Sequence, residues 1–261
     1  MNERGVENHP EMFSVFDTLK ETLFLWRRNF WYFAVIALLF VPPNVLLDQL
    51  HYIASSSHSF GSPLVAFIVS SAQLLLDTAN IAVLFGLLKK GPTESAWKAT
   101  WHGIEIYTGP MFRLILLIGL IIGIPLAAIK AVVIHWTGSE KAEMLLQPGF
   151  YLVFFLCALA FPLVVEEKLG AVVALKRCWE MAKKHFLYVE GCCLIPGLGE
   201  WLIRRMMRLP VDTTNEKISW PGVSNGFISG LLGSAWVILF WSMCLRIKAV
   251  EVQSPSEATS N

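Results

Sequence analysis

The stretch "SSAQLLLDTANIAVLF", Ser70 to Phe85, carries polar residues whose spacing puts them on one helical face. At 3.6 residues per turn, Ser70, Gln73, Asp77 and Asn80 fall within about 80° of one another. The run around them is long and apolar enough to cross a bilayer, where a central carboxylate costs about 2.5–3.5 kcal/mol to insert. Counted at 1.5 Å per residue, Asp77 lies roughly 21 Å from Pro63 and roughly 17 Å from Leu88, close to mid-membrane. Such residues either clamp neighbouring helices, with Asp77 protonated or hydrogen-bonded, or line a hydrated pocket or proton-linked path. In both cases Asp77 is expected to face the helix bundle, not lipid. Ser234 and the Trp236 indole N–H lie at comparable depth in the last apolar run and could donate to it. Glu190 completes the set, about 6 Å inside its own run.

Other chemistry is poorly supported. His51, His58 and His135 fall in expected outer loops, and the seven-residue spacing of the first two fixes no ligand pair on one helix face. No metal and no cofactor are expected. Cys192 and Cys193 stand beside Glu190, whose charge opposes thiolate formation, and read as apolar packing residues. Gly226, Ser229, Gly230, Gly233 and Ser234 repeat at spacing four, as small residues do where helices pack closely in lipid. No glycine-rich phosphate loop or Ser-His-Asp pattern appears. With no acid, base and nucleophile converging, an enzyme is not expected.

Six apolar runs must position these residues: Phe30–Leu47, Pro63–Leu88, Phe112–Ile129, Pro148–Val165, Phe186–Ile203 and Gly222–Leu245. Each approaches the roughly 20 residues that cross about 30 Å of hydrocarbon. Hydrophobic residues make up 55% of the 261 and charged residues 16%, against about 25% charged in soluble domains. The fifth run is the weakest, containing Glu190, Glu200, Pro196 and three glycines. Alternating sides from the N-terminus, one side holds 15 Lys and Arg residues and the other 6. The positive-inside rule then puts both termini in the cytoplasm. A net charge of +1 gives no reason to expect nucleic acid. No cleavable signal peptide is evident, and no cysteine lies in an outer loop, so no disulfide is implied.

A repeat of about 78 residues runs through the chain. "DTLKETLFLWRRNFWYF" (Asp17–Phe33) aligns with "VALKRCWEMAKKHFLYV" (Val173–Val189) at an offset of 156. A weaker copy, "SAWKATWHGIEIY", lies halfway and sets Lys98 on Lys20 and Lys176. Each copy has an apolar face and a basic one, and "SVFD" at Ser14 has the pattern of an N-terminal cap. Basic amphipathic helices beside spans suit the membrane interface; equally, each is the extension of the span that follows, the chain turning at Asn29 or His185. Pro63, Pro148 and Pro221 open the even spans, while Pro42-Pro43, Pro125 and Pro196 sit late in the odd ones and predict kinks.

The expected fold is therefore all-α and integral to the membrane. Six transmembrane helices form three hairpin repeats, each preceded by a cytoplasmic interfacial helix. One membrane domain covers 1–250, with repeats near 12–90, 91–166 and 167–248, and residues 251–261 form a disordered tail. Lys20, Arg27, Arg28, Lys98, Lys176, Arg177, Lys183 and Lys184 are expected to meet anionic lipid head groups. A membrane-protein partner or a second copy of the chain also fits such a surface.

The stretch Gln147–Phe186 resembles a family of bacterial multi-pass proteins that includes the membrane domain of some glycerophosphodiester phosphodiesterases. The shared features are Pro148-Gly149 opening a span, Glu166 at its end, and the Ala174-Leu175-Lys176-Arg177-Cys178-Trp179 helix, with Cys178 where that family has serine. The resemblance implies a six-helix membrane fold and no reaction, since no segment here could build the hydrolase barrel. Three function classes remain open: a non-enzymatic membrane protein supporting envelope lipid or membrane-protein homeostasis, a small-molecule or lipid transporter using the site around Asp77, and, least favoured, an intramembrane enzyme.

Overall fold

The protein, analysed as a computed structural model, is described over residues 14–56, 62–90, 96–137, 157–206 and 220–253. Every regular element among these residues is a helix. In order they are α1 (Val15–Arg28), α2 (Phe30–Ser56), α3 (Ser62–Lys90), α4 (Ala96–Ile118) and α5 (Ile124–Thr137). After them come α6 (Ala160–Glu166), α7 (Ala171–Lys184), α8 (Phe186–Met206) and α9 (Trp220–Gln253).

Among the described residues four stretches are long and apolar enough to cross a membrane: Phe30–Ile53, Leu64–Lys89, Thr100–Val133 and Gly226–Val252. They cover the first, second, third and sixth expected spans. Of the fourth, residues 148–156 lie outside the described residues, and Cys157 to Val165 is buried throughout. The fifth is a helix of 21 residues but is not one of the four.

Local chemistry explains the helix ends. Ser14 caps α1 by accepting the Asp17 N–H at 3.2 Å, as its pattern predicts. Asn29 ends α1: its side-chain amide and its backbone N–H both donate to the Leu25 carbonyl, at 2.9 and 3.1 Å. His185, 156 residues later, ends α7 with φ −119° and ψ 32°. Burial, with Lys184 alongside, holds its imidazole below the ordinary value. The segment halfway between them is different: of "SAWKATWHGIEIY", Ser95 lies outside the described residues and the rest, to Tyr107, runs without a break through α4. Tyr107, at the position of Asn29 and His185, is buried in the core, which favours keeping the chain helical there.

Pro125 is preceded by a π-helical turn, Gly119–Gly123, in which the Ile124 N–H reaches the Gly119 carbonyl five residues back. Such a turn absorbs the hydrogen bond that a proline removes. α9 continues to Gln253, so residues 251–253 of the expected disordered tail are helical, and Glu251 is engaged in an ion pair.

The core lies where α3, α6 and α9 meet, each touching the other two. Ala82, Val83 and Phe85 are buried there, and so are Ala160, Phe161 and Leu163, and Ile238, Leu239 and Trp241. These three sets are successively 78 residues apart. Phe33, Met111 and Val189 are buried at the same interval, as are Ile36, Leu114 and Cys192. Around this centre α1 packs on α9, α4 on α3, and α7 on α6.

Candidate functional site

α2 and α3 form an antiparallel pair, and the stripe around Asp77 meets a second polar stripe on α2. The Asn44 amide donates to Asp77 Oδ1 at 3.2 Å. The Gln73 amide donates to Asp48 Oδ1 at 2.7 Å. Ser70 Oγ and His51 Nδ1 share a hydrogen bond of 3.2 Å. Positions 44, 48 and 51 run against 77, 73 and 70, so the spacings of four and three on one helix mirror those on the other. Residues so spaced share a helix face, and antiparallel packing turns two such faces into a ladder of rungs about 5 Å apart.

Asp77 thus pairs with a helix, as its insertion cost requires. Asn80, one turn from Asp77, is half-buried; its amide oxygen and that of Asn44 are buried without a donor among the described residues.

Asn44, Asp48 and His51 are the half of the ladder that sequence reasoning missed. Ending the first span at Leu47 put Asp48 and His51 in a loop, whereas α2 carries them to Ser56 as helix. The signal was present in "NVLLDQLH", whose spacing of four and three is that of one helical face.

Three expected members stand elsewhere. Ser234 accepts from the Trp26 indole at 3.0 Å and donates to the Leu231 carbonyl at 2.6 Å. The Trp236 indole donates to Glu200 at 2.8 Å and its ring stacks on Phe240. Their hydrogen-bonding capacity is committed to nearer partners, so neither supplies the donor expected for Asp77. Glu190 is half-buried in α8, with one carboxylate oxygen buried and unpartnered among the described residues. Of the histidines, His135 is exposed and His58 lies outside the described residues. Among the described residues no group of three or more His, Cys, Asp or Glu is arranged to hold a metal ion.

The basic residues divide into two kinds. Lys20, Arg27, Arg28, Lys98, Lys176, Lys183 and Lys184 are exposed, Lys183 lying 5.2 Å over the Trp179 ring. Arg177 instead pairs with Glu251 at 2.5 Å. α9 makes two further ties at the same end: Arg246 to Glu21 at 2.9 Å and Lys248 to Glu167 at 3.1 Å. Between α1 and α8, the Thr18 and Tyr188 hydroxyls are joined at 2.7 Å. Cys178 is fully enclosed, and burial pushes its thiol well above the usual range, so it packs as an inert group.

Compared with known proteins, the chain matches no family model, no curated protein and no solved structure.

Proposed function

We propose that this is a non-enzymatic multi-pass protein of the bacterial inner membrane that supports envelope lipid or membrane-protein homeostasis. Its basic helices rest on anionic head groups at the cytoplasmic face. The observation that carries the reading is the outward apolar face of α1. Thr18 and Thr22 are 0% and 8% exposed, whereas Phe16, Leu23 and Phe24 are 69%, 63% and 63% exposed. A helix on a water-soluble protein turns its large apolar residues inward. On α1, Phe16, Leu23 and Phe24 point away from the protein and are flanked by Lys20, Arg27 and Arg28, as on a helix lying in lipid, while Val15, Leu19, Leu25 and Trp26 pack against the core. α7 also carries apolar residues outward: Val172, Val173 and Trp179 are exposed near Lys176 and Lys183, while Ala174, Cys178, Met181 and Ala182 are buried.

Three hairpin repeats with six spans fit the same reading, supported by burial that recurs every 78 residues. Both termini then lie in the cytoplasm. Cysteines placed at Lys20, Lys98 and Lys176 are expected to label from the cytoplasmic side alone. A reporter active only outside the cytoplasm, fused after Glu251, is expected to be silent. The lipid reading itself is tested by purifying the full chain from mixed vesicles and comparing its bound lipid with the bulk. Enrichment of anionic lipid is expected, falling when Lys20, Arg27, Arg28 and Lys176 are changed to Gln, since each contributes about 1 kcal/mol near such a surface. Bound lipid of bulk composition would end this reading.

The polar ladder favours a second reading, a transporter of a small molecule or lipid. Polar groups at membrane depth are costly to keep and mark substrate or ion paths. A metabolite retained by the purified protein, and lost in Asp77→Asn, would move the conclusion to this class.

A further inference from the structure

The ladder is polar on one side of Asp77 and closed by apolar packing on the other. Toward the tip of the α2–α3 hairpin come Gln73 with Asp48, then Ser70 with His51. Exposure rises in that direction, from a half-buried Asp77 to an exposed Ser70. Toward the end that carries α1, Asn80 is the last polar side chain before Ala82, Val83, Leu84 and Phe85, all buried. Ala37 and Val41 of α2 are buried as well, against Gly230 and Gly226 of α9. Thr78, next to Asp77, is fully buried and turns its hydroxyl back to the Leu74 carbonyl at 2.6 Å.

The charged surroundings are sparse. α9, which packs on both helices, has no charged residue from Gly226 to Cys244. α4 and α6, which pack on α3, bring Lys98, His102, Glu105, Arg113 and Glu166. None of these is hydrogen-bonded or ion-paired to Asp77 among the described residues. Asp48 and His51, on α2, are the titratable groups that share the ladder with it.

We propose that Asp77 takes up and releases a proton through the hairpin-tip end of the ladder, and has no route to the membrane face that carries α1. In the step, the Asp77 carboxylic acid gives up one proton and becomes carboxylate. That proton passes by Asp48 and His51 to water, and uptake is the reverse. Rungs about 5 Å apart are a spacing that one water bridges at each step. A site reached from one face and sealed from the other is half of what alternating access needs. The inference rests on α2 and α3 crossing the membrane as a hairpin. To the transporter reading it adds the side from which the site is reached.

Dicyclohexylcarbodiimide, which enters membranes and adds to protonated carboxyls, reports the state of Asp77. The full chain is placed in vesicles in one orientation, and the pH inside and outside is varied separately over about pH 4 to 7, where carboxylates and imidazole titrate. Adduct at the Asp77 peptide is read by mass spectrometry, with Asp77→Asn as the blank. An impermeant maleimide on Tyr52→Cys and on Lys20→Cys identifies the hairpin-tip face and the α1 face. Above the midpoint, modification is expected to fall about tenfold per pH unit on the Tyr52 face and to ignore the other. Modification that follows pH on the Lys20 face, or neither pH, overturns the proposal. Labelling of both cysteines from one face overturns the hairpin reading and the proposal with it. Opposite faces with a constant Asp77 signal overturn the proposal alone.

Discussion

The two ends of this bundle are held by different forces. Where α1, α4 and α7 surround α3, α6 and α9, whole turns are buried and three ion pairs link α9 to its neighbours. Toward the hairpin tips, α2 exposes Leu46, Leu50 and Ile53, α3 exposes Leu64, Phe67 and Ile68, and α5 exposes Ile129, Val132 and Trp136. Between helices in lipid there is no hydrophobic gain, because acyl chains are as apolar as leucine. Alignment must then come from close packing and from hydrogen bonds, and the Asn44–Asp77, Asp48–Gln73 and His51–Ser70 rungs supply it for α2 and α3. A one-turn slip would set polar groups against apolar ones. Packing holds the first end; polar pairing sets the register at the second.

Gly103 is the most severe test of the packed end. A Cβ there would lie 2.8 Å from the Ala82 carbonyl oxygen and 3.1 Å from Val83 Cα, backbone atoms that cannot turn aside. Gly103→Ala is expected to cost upwards of about 2 kcal/mol as overpacking. Gly109, on the same helix, has nothing within 4 Å of its Cβ position. Gly109→Ala sets a helix-propensity gain against crowding by the Pro110 ring that follows it, and is expected to change stability by less than about 1 kcal/mol. Thermal unfolding of the two variants in detergent checks the contrast. Equal shifts would mean that the α3–α4 contact is not what holds this end.

The hydroxyl pair joining α1 to α8 comes next. Tyr188→Phe removes the buried bond to Thr18 and leaves the ring, for an expected loss of about 1 kcal/mol. The same loss in Thr18→Val, and no further loss in the double variant, would assign the energy to this bond. Additive losses would assign it to packing.

The Arg177–Glu251 pair should matter less, because Arg177 is 40% exposed. Glu251→Gln is expected to cost at most about 1 kcal/mol, and the difference should shrink in high salt. A salt-independent loss would instead place the pair in an environment closed to ions.

How legible these two ends were depends on the range of the interaction. The Ser14 cap and the breaks at Asn29 and His185 follow from residues within one turn, and the sequence match between Asp17–Phe33 and Val173–Val189 pointed to the second break by analogy with the first. Pro63 and Pro221 fall in the first turn of α3 and α9, where a missing N–H is harmless. The stripe Ser70, Gln73 and Asp77 was legible as one face of one helix. Its partners were not, because pairing depends on the register of α2 against α3, which no local pattern encodes. Ser234 and Trp236 failed for the same reason. Depth along a helix placed them level with Asp77, but the Trp26 and Glu200 side chains had already engaged them.

The smallest change in stability is expected where the chemistry is most interesting. Asp77→Asn preserves size and keeps an oxygen for the Asn44 amide, so the rung survives. Interhelical hydrogen bonds in membranes average about 0.6 kcal/mol, and the cost should not exceed that. Gln73→Leu, which strips Asp48 of its donor, should cost about that full amount. If the ladder only aligns helices, the Gln73 variant is the more damaging of the two for abundance, and Asp77→Asn leaves function intact. If Asp77 works by exchanging a proton, the order for function reverses. Asp77→Asn then abolishes function at normal abundance, because the amide preserves the rung and removes the only titrating group on it.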